Sequence, residues 1–492
     1  MSRSPADVYR EHLPPGRGEE FALDGLDRVG VPVHAVRLIG AGGLGGAGIG
    51  YGATREDART GAHGELAEAV LPKAGAAGRE RPTASYAQMA RREGADRVAD
   101  PVSLVLEAGS DYDADRPLQW LATTRLSDGE TVWAPAELVA SDEAELPGGP
   151  PPGGWLTTPV TNGQGAGLSR AQALSHALLE VLQRDGDGLS FRAMGTGVVV
   201  DLAGLDDPVA LDVLARLEAA DVEPVVKLAS TAFGVPVVYC VGAGRGSADD
   251  ALPVVLGACG EAAHPDAVRA VRKALLEFAA ARARLAFMHG PLAAVRRVAP
   301  PDYVERVVAA GPGVQEPRAL AEMLAWTSRS AAEVRALLEP VVLSRRSSTA
   351  LADLPSTPAD GGPQELLDDV AGRLRAAGTD VLVAEVRSGP VSVVKALVPG
   401  LEVETMSYGR IGERGVRALL ERPPGQGREL VAVGRRPDGL GWARVHLTAE
   451  ALERLGGPAW LDRDGVAARV GRLYPLYREP GRHAAALARG ER

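Results

Sequence analysis

One predicted helix carries four polar side chains that could bind a metal ion or a nucleotide. At about 100° per residue, Gln172, His176, Glu180 and Gln183 fall within roughly an 80° stripe, and alanine, leucine and valine cover most of the remaining surface. Ser169 is suited to cap the start of this helix. A carboxylate, two amides and an imidazole therefore lie on one line, either as ligands or as an ordinary solvated face.

Two further predicted helices carry acidic side chains in surroundings rich in alanine and leucine. Glu65 and Glu68 lie three residues apart on a helix that begins near Thr54, and Glu277 and Arg282 lie on a later helix. Mg²⁺ prefers oxygen ligands in octahedral geometry, and a triphosphate can face several carboxylates only when cations bridge them. Three helices that each offer acidic groups match the needs of a polyphosphate–metal site.

A glycine-rich segment precedes the helix near Thr54. An alternating apolar strand is expected over residues 31–39, and residues 40–52 then contain a Gly-x-Gly-x-x-Gly match that begins at Gly43. A dinucleotide-binding fingerprint requires its helix to begin at the last glycines. Here the helix signal, Thr54 with Asp57 as a capping box, comes later. The pattern therefore does not favour a dinucleotide site.

The remaining pattern predicts an α+β protein in which strands and helices alternate. Apolar runs and alternation predict strands, whereas 3.6-residue periodicity predicts helices. The predicted elements are a hairpin over 118–139, strands at 198–202, 224–229, 235–243, 381–386 and 391–398, helices at 208–219 and 363–377, and a helical insertion at about 302–339. The segment Arg184-Asp185-Gly186 is expected to end the central helix.

Composition limits the classes of function. The 492-residue chain has 45% apolar residues and a formal net charge of −10, which indicates a globular protein and argues against binding nucleic acid through its phosphates. It contains no run of about 18 apolar residues and no signal-peptide pattern, which predicts a cytoplasmic protein without membrane contact. The two cysteines, Cys240 and Cys259, are too few for a disulfide framework and are expected to be buried thiols.

Four segments, in order along the chain, resemble the motifs of the YcaO family. The first, GAHGELAEAV, matches a small residue followed by Glu-x-x-Glu, and NGQGAG…QALSHALLEVLQRD matches the central glycine-rich turn and Leu-Leu-Glu signature. The segments KALLEFAAAR and VPGLEVETMSYGRIGERG match the third and the late motif. Because the matches extend from Gly40 to about Arg414, the chain is identified as a divergent, standalone member of this family.

The departures from the family pattern concentrate in the expected nucleotide site. Gln172 and Gln183 stand where the family has glutamates. Four further positions differ, namely Ile49 for lysine, Gly61 for serine, Leu168 for asparagine and Ala280 for glutamine.

The resemblance implies ATP and Mg²⁺ as cofactors. The residues expected to contact ATP are Gln172, Glu180, Gln183, Arg184 and Arg282. The residues expected to hold Mg²⁺ are Glu65, Glu68, Glu180 and Glu277. The resemblance also implies one large α+β unit of the YcaO type over residues 29–480, with an N-terminal extension over 1–28 and a C-terminal tail over 481–492.

YcaO enzymes activate a backbone amide of a ribosomally made precursor peptide, and the resemblance implies this activity here. A nucleophile attacks the amide carbon, and the oxyanion takes the γ-phosphoryl group of ATP before phosphate leaves with the former amide oxygen. Cysteine, serine or a chain amine would give an azoline or a macrocyclic amidine, as in bottromycin-type peptides, whereas external sulfide would give a thioamide. The cyclising nucleophile belongs to the peptide, so the sequence assigns no catalytic residue.

The altered positions leave a rival interpretation, a catalytically silent YcaO scaffold that binds a precursor peptide or a partner enzyme. Glutamates retained on all three motif helices favour the enzyme. The expected partner is the precursor peptide, and a partner maturation enzyme or a homodimer is compatible with the resemblance. Nucleic acid and membranes are not expected partners.

Overall fold

A computed structural model describes most of the chain. The described residues are 3–40, 44–188, 192–358, 360–403 and 409–491. Two predicted features lie partly outside them, the Gly-x-Gly-x-x-Gly match at Gly43 and residues 404–408 of the late motif.

Strands and helices alternate along the described chain. The strands are β1 Gly16–Ala22, β2 Val33–Gly40, β3 Gly46–Tyr51, β4 Thr83–Ser85, β5 Pro117–Arg125, β6 Thr131–Pro135, β7 Gln164–Gly167, β8 Val198–Asp201, β9 Val222–Ser230, β10 Val237–Gly244, β11 Gly260–Ala263, β12 Ser347–Ala350, β13 Leu382–Arg387, β14 Ser392–Leu397, β15 Val431–Val433, β16 Trp442–Arg444 and β17 Ala459–Asp462. The helices are α1 Pro5–His12, α2 Arg55–Gly75, α3 Tyr86–Glu93, α4 Ala136–Val139, α5 Arg170–Asp187, α6 Pro208–Ala219, α7 Ala267–His289, α8 Leu292–Val295, α9 Tyr303–Ala310, α10 Pro317–Thr327, α11 Ala331–Leu338, α12 Gly362–Ala376, α13 Glu413–Leu420, α14 Ala449–Leu455, α15 Arg463–Val470 and α16 Ala484–Ala488.

The strands form four sheets. One sheet has the order β1-β2-β3, a second has the order β11-β10-β9-β8-β12, and a third has the order β4-β5-β13-β14-β7 with β6 paired to β5. A small sheet near the C-terminus has the order β15-β17-β16. The pairs are antiparallel except for β8 with β12, which is parallel. This mixture of sheets and helices confirms the predicted α+β class.

Most predicted elements are confirmed near their expected positions. The predicted hairpin is β5–β6, the expected strand over 31–39 is β2, and the helix at 208–219 is α6. Three helices, α9 to α11, fill the stretch predicted as a helical insertion. Cys240 and Cys259 are buried and free, as expected.

The N-terminal residues, which the sequence predicted as an extension over 1–28, pack against the rest of the fold; the predicted division into domains stays a prediction. β1 pairs with β2 along its whole length, from Gly16 opposite Gly40 to Ala22 opposite His34. α1 packs on α2, and its start is capped by the side chain of Ser4. The segment GRGEEFA has few apolar residues because β1 is an edge strand whose first three residues are exposed.

The residues predicted as a tail, 481–492, are also packed in the part that the structure describes, up to residue 491. Ala484, Ala485 and Ala486 of α16 are completely buried, and α16 contacts α7 and α10. The Tyr303 hydroxyl lies 3.1 Å from His483 Nε2 at the start of α16. Small side chains allow this short helix to approach its neighbours closely.

The apolar faces of α5 and α7 lie in the core. Leu178 of α5 packs in a cluster with Val394 of β14, and Leu275 and Phe278 of α7 pack in a cluster with Val238 of β10. Full burial of each such side chain contributes about 1.5–3 kcal/mol to stability. This packing fixes the rotation of both helices, so their polar faces must point away from the core.

Glycines allow three strands to lie against the backbone of the helix that follows each of them. A Cβ atom at Gly48 of β3, Gly165 of β7 or Gly260 of β11 would lie 2.2, 2.3 or 2.1 Å from a backbone carbonyl oxygen of α2, α5 or α7, respectively. No side chain fits at these distances. Each of the three motif helices therefore belongs to a close-packed strand–helix unit.

Three glycines before α2, Gly46, Gly48 and Gly50, lie on β3 and serve this packing. α2 begins only at Arg55, where Thr54 and Asp57 form a capping box. At the other end of the central motif, Gly186 does not end α5, which continues to Asp187.

Candidate active site

The three motif helices α2, α5 and α7 line one cavity of about 1010 Å³. Seven of the eight residues predicted to bind ATP or Mg²⁺ line this cavity, namely Glu65, Glu68, Gln172, Glu180, Gln183, Arg184 and Glu277. The eighth, Arg282, does not. The fold thus brings together side chains from three distant parts of the sequence.

Backbone donors hold the two carboxylates of α2. The Ile49 N–H donates to Glu65 Oε2 (2.8 Å), and the Ala166 N–H donates to Glu68 Oε1 (2.7 Å). These donors belong to β3 and β7, which are edge strands of two different sheets. Ile49, the position of the family's lysine, therefore contributes its backbone to the site. The second oxygen of each carboxylate has no hydrogen-bond partner among the described residues and remains available to a ligand.

The carboxylates of α5 and α7 have side-chain partners. The Tyr51 hydroxyl donates to Glu277 Oε2 (2.6 Å). Glu180 Oε1 lies 3.9 Å from Arg184 Nε, one helical turn later. The ion pair is loose at this distance, and the Gly163 backbone N–H also interacts with the carboxylate, so Glu180 can still offer an oxygen to a cation.

The two glutamines that replace family glutamates each make a hydrogen bond within the protein. Gln172 Oε1 accepts a hydrogen bond from the Leu168 N–H (3.0 Å), just before the start of α5. Gln183 Nε2 donates to Glu261 Oε2 (3.2 Å). Gln172 is exposed and can exchange its partner for a ligand, whereas Gln183 is buried.

Glu261 is a buried acid of the site that the sequence analysis missed. Its carboxylate accepts hydrogen bonds from Gln183, from Arg184 Nη1 (2.7 Å) and from Arg192 Nη2 (3.3 Å). Burial favours the neutral acid, but Arg184 and Arg192 outweigh burial and lower the pKa of Glu261. Glu261 therefore stays ionised and holds Arg184 at the edge of the cavity. It lies alone on β11, where no helical spacing marks it as part of a cluster.

Arg282 lies away from the cavity, so its position does not support the predicted contact with ATP, which stays a prediction. Its side chain is completely buried, and its guanidinium pairs with Asp27 (3.2 Å) and Asp249 (2.8 Å). Asp249 also pairs with Arg28 (2.8 Å). These contacts tie α7 to the segment before β2 and to the loop after β10, on a side of α7 that does not face the cavity.

Burial raises the pKa of the four cavity carboxylates, which favours their protonated form. It raises the pKa of Glu65 to about 7 and raises the pKa of Glu68, Glu180 and Glu277 above the usual range. Repulsion between Glu68 and Glu180 raises the pKa of Glu68 further. A divalent cation would replace these protons, because it stabilises the charged form of each carboxylate.

The carboxylates fit a metal that is bound together with phosphate rather than alone. Within the described ranges, no three His, Cys, Asp or Glu side chains are close enough to hold one ion. Mg²⁺ is commonly held by one or two carboxylates, with phosphate and water oxygens completing the octahedron. The free oxygens of Glu65, Glu68 and Glu277 suit this arrangement.

Lys273 is a second residue of the site that the sequence analysis missed. It lines the cavity from α7, one turn before Glu277, and the described residues offer it no hydrogen bond and no acidic partner within 4 Å. The other cations that line the cavity, Lys73, Arg184 and Arg269, all have acidic partners. Lys273 is thus a half-buried lysine that has no ion-pair partner among the described residues. Its i,i+4 spacing from Glu277 was the signal that could have identified it.

A smaller chamber of about 330 Å³ adjoins the main cavity. The two share Tyr51, Glu65, Arg184 and Glu277 as lining residues. The far side of the smaller chamber includes Glu479, which binds Arg284 and His289 of α7. A molecule in the main cavity and one in the smaller chamber would therefore meet at the shared residues.

No α-helix in the described part of the chain is long and apolar enough to cross a membrane. The cytoplasmic location expected from the sequence stays a prediction.

Comparison with known proteins identifies the family. Residues 49–402 match the family model described as YcaO cyclodehydratase, ATP- and Mg²⁺-binding. An uncharacterized protein of Methanothermobacter thermautotrophicus is 31% identical over 396 residues, which cover 79% of this chain and 90% of that protein. An uncharacterized protein in the tfuA 3′ region of Rhizobium leguminosarum bv. trifolii is 27% identical over 326 residues, which cover 64% of this chain and 68% of that protein.

Two solved structures have a similar fold. The YcaO protein of Methanopyrus kandleri, bound with AMPPCP and Mg²⁺, superposes with a TM-score of 0.54 at 21% identity over 82% of this chain and 91% of that chain. A heterocyclase in complex with substrate and cofactor superposes with a TM-score of 0.59 at 17% identity, covering 83% of this chain and about half (53%) of the heterocyclase. Because residues 49–402 match the family model and the relative from Methanothermobacter thermautotrophicus is 31% identical, the chain belongs to the YcaO cyclodehydratase family, whose cofactors are ATP and Mg²⁺.

Proposed function

We propose that this chain uses ATP to activate a backbone amide of a ribosomally made precursor peptide, giving an azoline or a macrocyclic amidine. The observation that carries this proposal is the convergence of Glu65, Glu68, Glu180 and Glu277 on one cavity. Burying several carboxylates side by side destabilises a fold, because each loses hydration and repels the others. A scaffold that only bound peptide would not need such an arrangement, whereas a metal–polyphosphate site does.

The carboxylates would hold Mg²⁺ against the phosphate chain. Backbone N–H groups of β3 and β7 orient Glu65 and Glu68, and the Tyr51 hydroxyl orients Glu277. Such second contacts fix the direction of metal ligands. Because Gln172 and Gln183 are neutral, the site carries two fewer negative charges than the family pattern, so we expect fewer Mg²⁺ ions or weaker Mg²⁺ binding.

Two cations would balance the phosphate charge from the protein side. Lys273 has no other partner within the described chain, and Arg184 is held at the cavity edge by Glu261. When bound, ATP supplies the phosphoryl group that captures the amide oxygen. The contribution of the protein is to align that group with the amide and to stabilise the charge that develops between them.

The smaller chamber suits the peptide amide. It is lined by apolar side chains, by Tyr51 and Tyr477, and by ion pairs such as Arg284 with Glu479, so it offers both hydrogen-bond donors and acceptors. A neutral amide needs one of each. An amide bound there would approach the nucleotide at the residues that the two chambers share, Glu65 and Glu277 among them.

Mass spectrometry of a candidate precursor peptide tests the proposal. After incubation with the protein, ATP and Mg²⁺, each cyclodehydration removes one water, a loss of about 18 Da. Calorimetry with ATP and excess Mg²⁺ provides the binding control. No binding of ATP, even with the precursor peptide present, would contradict the assignment.

Two other results of the mass measurement would favour a different function. A gain of about 16 Da, in which sulfur replaces the amide oxygen, would replace cyclisation by thioamide formation while keeping the amide activation. Nucleotide binding without any mass change in a neighbouring peptide would favour the silent scaffold. A partner enzyme and a homodimer stay predictions that size-exclusion chromatography can test.

A further inference from the structure

The N-terminal helix α1 forms part of the cavity wall although it precedes the family match. The match begins at residue 49, whereas α1 spans Pro5–His12. Its Tyr9 is 3% exposed and lines the cavity beside the carboxylates of α2. A residue outside the family match therefore reaches the nucleotide site of this chain.

Ion pairs and packing fix the position of α1. Arg59 of α2 binds Asp7 of α1 (3.2 Å) and Glu20 of β1 (3.2 Å). The Tyr9 ring packs in an apolar cluster with Ala67 of α2 and Ala166 of β7. The side chain thus bridges the two elements that position Glu68, and it has little freedom to turn away from the cavity.

The Tyr9 hydroxyl has no hydrogen-bond partner among the described residues. The hydroxyl of a buried tyrosine usually has a hydrogen-bond partner, because burial removes the water that would otherwise hydrate it. The Tyr9 oxygen keeps accessible surface towards the cavity, in contrast to the Tyr112 hydroxyl, which is fully buried without a partner in the described part of the chain. Burial, with a smaller contribution from Glu68, raises the pKa of Tyr9 to about 12, so the hydroxyl keeps its proton and can donate it.

We propose that the Tyr9 hydroxyl donates a hydrogen bond to the phosphate chain of the nucleotide, beside Glu68. This inference rests on the proposed function, which brings phosphate oxygens into the cavity as acceptors. Glu68 is one of the carboxylates proposed to hold Mg²⁺ against that chain, so a donor next to it faces the same phosphates. Tyr9 is then a positioning residue that fixes the phosphates relative to the metal.

Nucleotide binding by Tyr9→Phe tests the inference. This substitution keeps the ring and its packing and removes only the hydroxyl. Calorimetry with excess Mg²⁺ should show ATP bound about tenfold to a hundredfold more weakly than by the native protein, the range of one hydrogen bond to a charged phosphate oxygen, and AMP bound almost unchanged. The melting temperature should not fall. Tyr86→Phe, in a different cavity, is the matched control and should bind ATP like the native protein.

Three results would overturn the inference in different ways. Unchanged ATP affinity in Tyr9→Phe would show that the Tyr9 hydroxyl makes no hydrogen bond to the nucleotide. An equal loss for ATP and AMP would show that Tyr9 contacts the part that both nucleotides share and not the β- or γ-phosphate. If the native protein binds neither nucleotide, the proposed function fails and the inference fails with it, which is distinct from a failure confined to the variant.

Discussion

Lys273 allows a quantitative test of the nucleotide site. Two unit charges about 5 Å apart attract each other by about 3 kcal/mol at an effective dielectric constant of about 20. Lys273 is half-buried, so solvent screening should reduce its contribution to about 1–2 kcal/mol. We therefore expect Lys273→Met to weaken ATP binding about fivefold to thirtyfold. The uncharged methionine keeps most of the apolar stem.

Calorimetry with ATP and excess Mg²⁺, at low and at high salt, measures this effect. Arg272→Met is the matched control, because it removes one positive charge from the same turn of α7 but from an ion pair with Asp207 (3.1 Å). The control should retain ATP affinity. The effect of Lys273→Met should shrink at high salt, as screening predicts. Equal losses in both variants, or none in Lys273→Met, would refute a direct electrostatic contact.

Three further predictions concern the carboxylates and Arg282. Glu180→Gln should abolish turnover and leave the melting temperature unchanged, and an unfolded variant would show that Glu180 is structural. Arg282→Leu should lower the free energy of unfolding by about 3–5 kcal/mol, because it leaves the Asp27 carboxylate without its cation and removes one of the two arginines that pair with Asp249; weaker ATP binding by the folded fraction would contradict a purely structural role. The pKa of Glu65 is about 7 in the folded protein and 4.5 as its reference, so the nucleotide-free protein should lose stability as the pH rises from about 4.5 to about 7. Over the same range Mg²⁺-dependent ATP binding should strengthen, and it should level off above about 7. Melting curves and calorimetry across this range check both signs, and a pH-independent affinity would count against protonation of the site.

The polar faces of α2 and α5 could be predicted from the sequence because helical periodicity determines which side chains share a side. Glu65 and Glu68 are about 60° apart on a helix, and Glu180 shares a stripe with Gln183. The same geometry should have excluded Arg282. Five residues after Glu277, it is rotated by about 140° and points to another side of α7. The family motif indicated the position of Arg282 along the helix but not the direction of its side chain.

Glu261 and the N-terminal segment could not be predicted in this way because their roles depend on distant partners. Glu261 is a single acid in a buried strand, and only the fold brings Arg184 and Arg192 to it. The segment of β1 is polar and rich in glycine, and it forms a strand because β2 supplies a partner along its whole length. Tyr9 likewise reaches the cavity only through the packing of α1 on α2.

The close contacts between glycine-bearing strands and the motif helices separate the frame of the site from its chemistry. At Gly48, Gly165 and Gly260 the strands touch helix backbone, so the positions of α2, α5 and α7 do not depend on the side chains that point into the cavity. Cavity residues can then be exchanged without moving the helices. Such a frame can tolerate Gln172 and Gln183 in place of glutamates. An engineered change of the site should begin with the cavity side chains and leave these three glycines untouched.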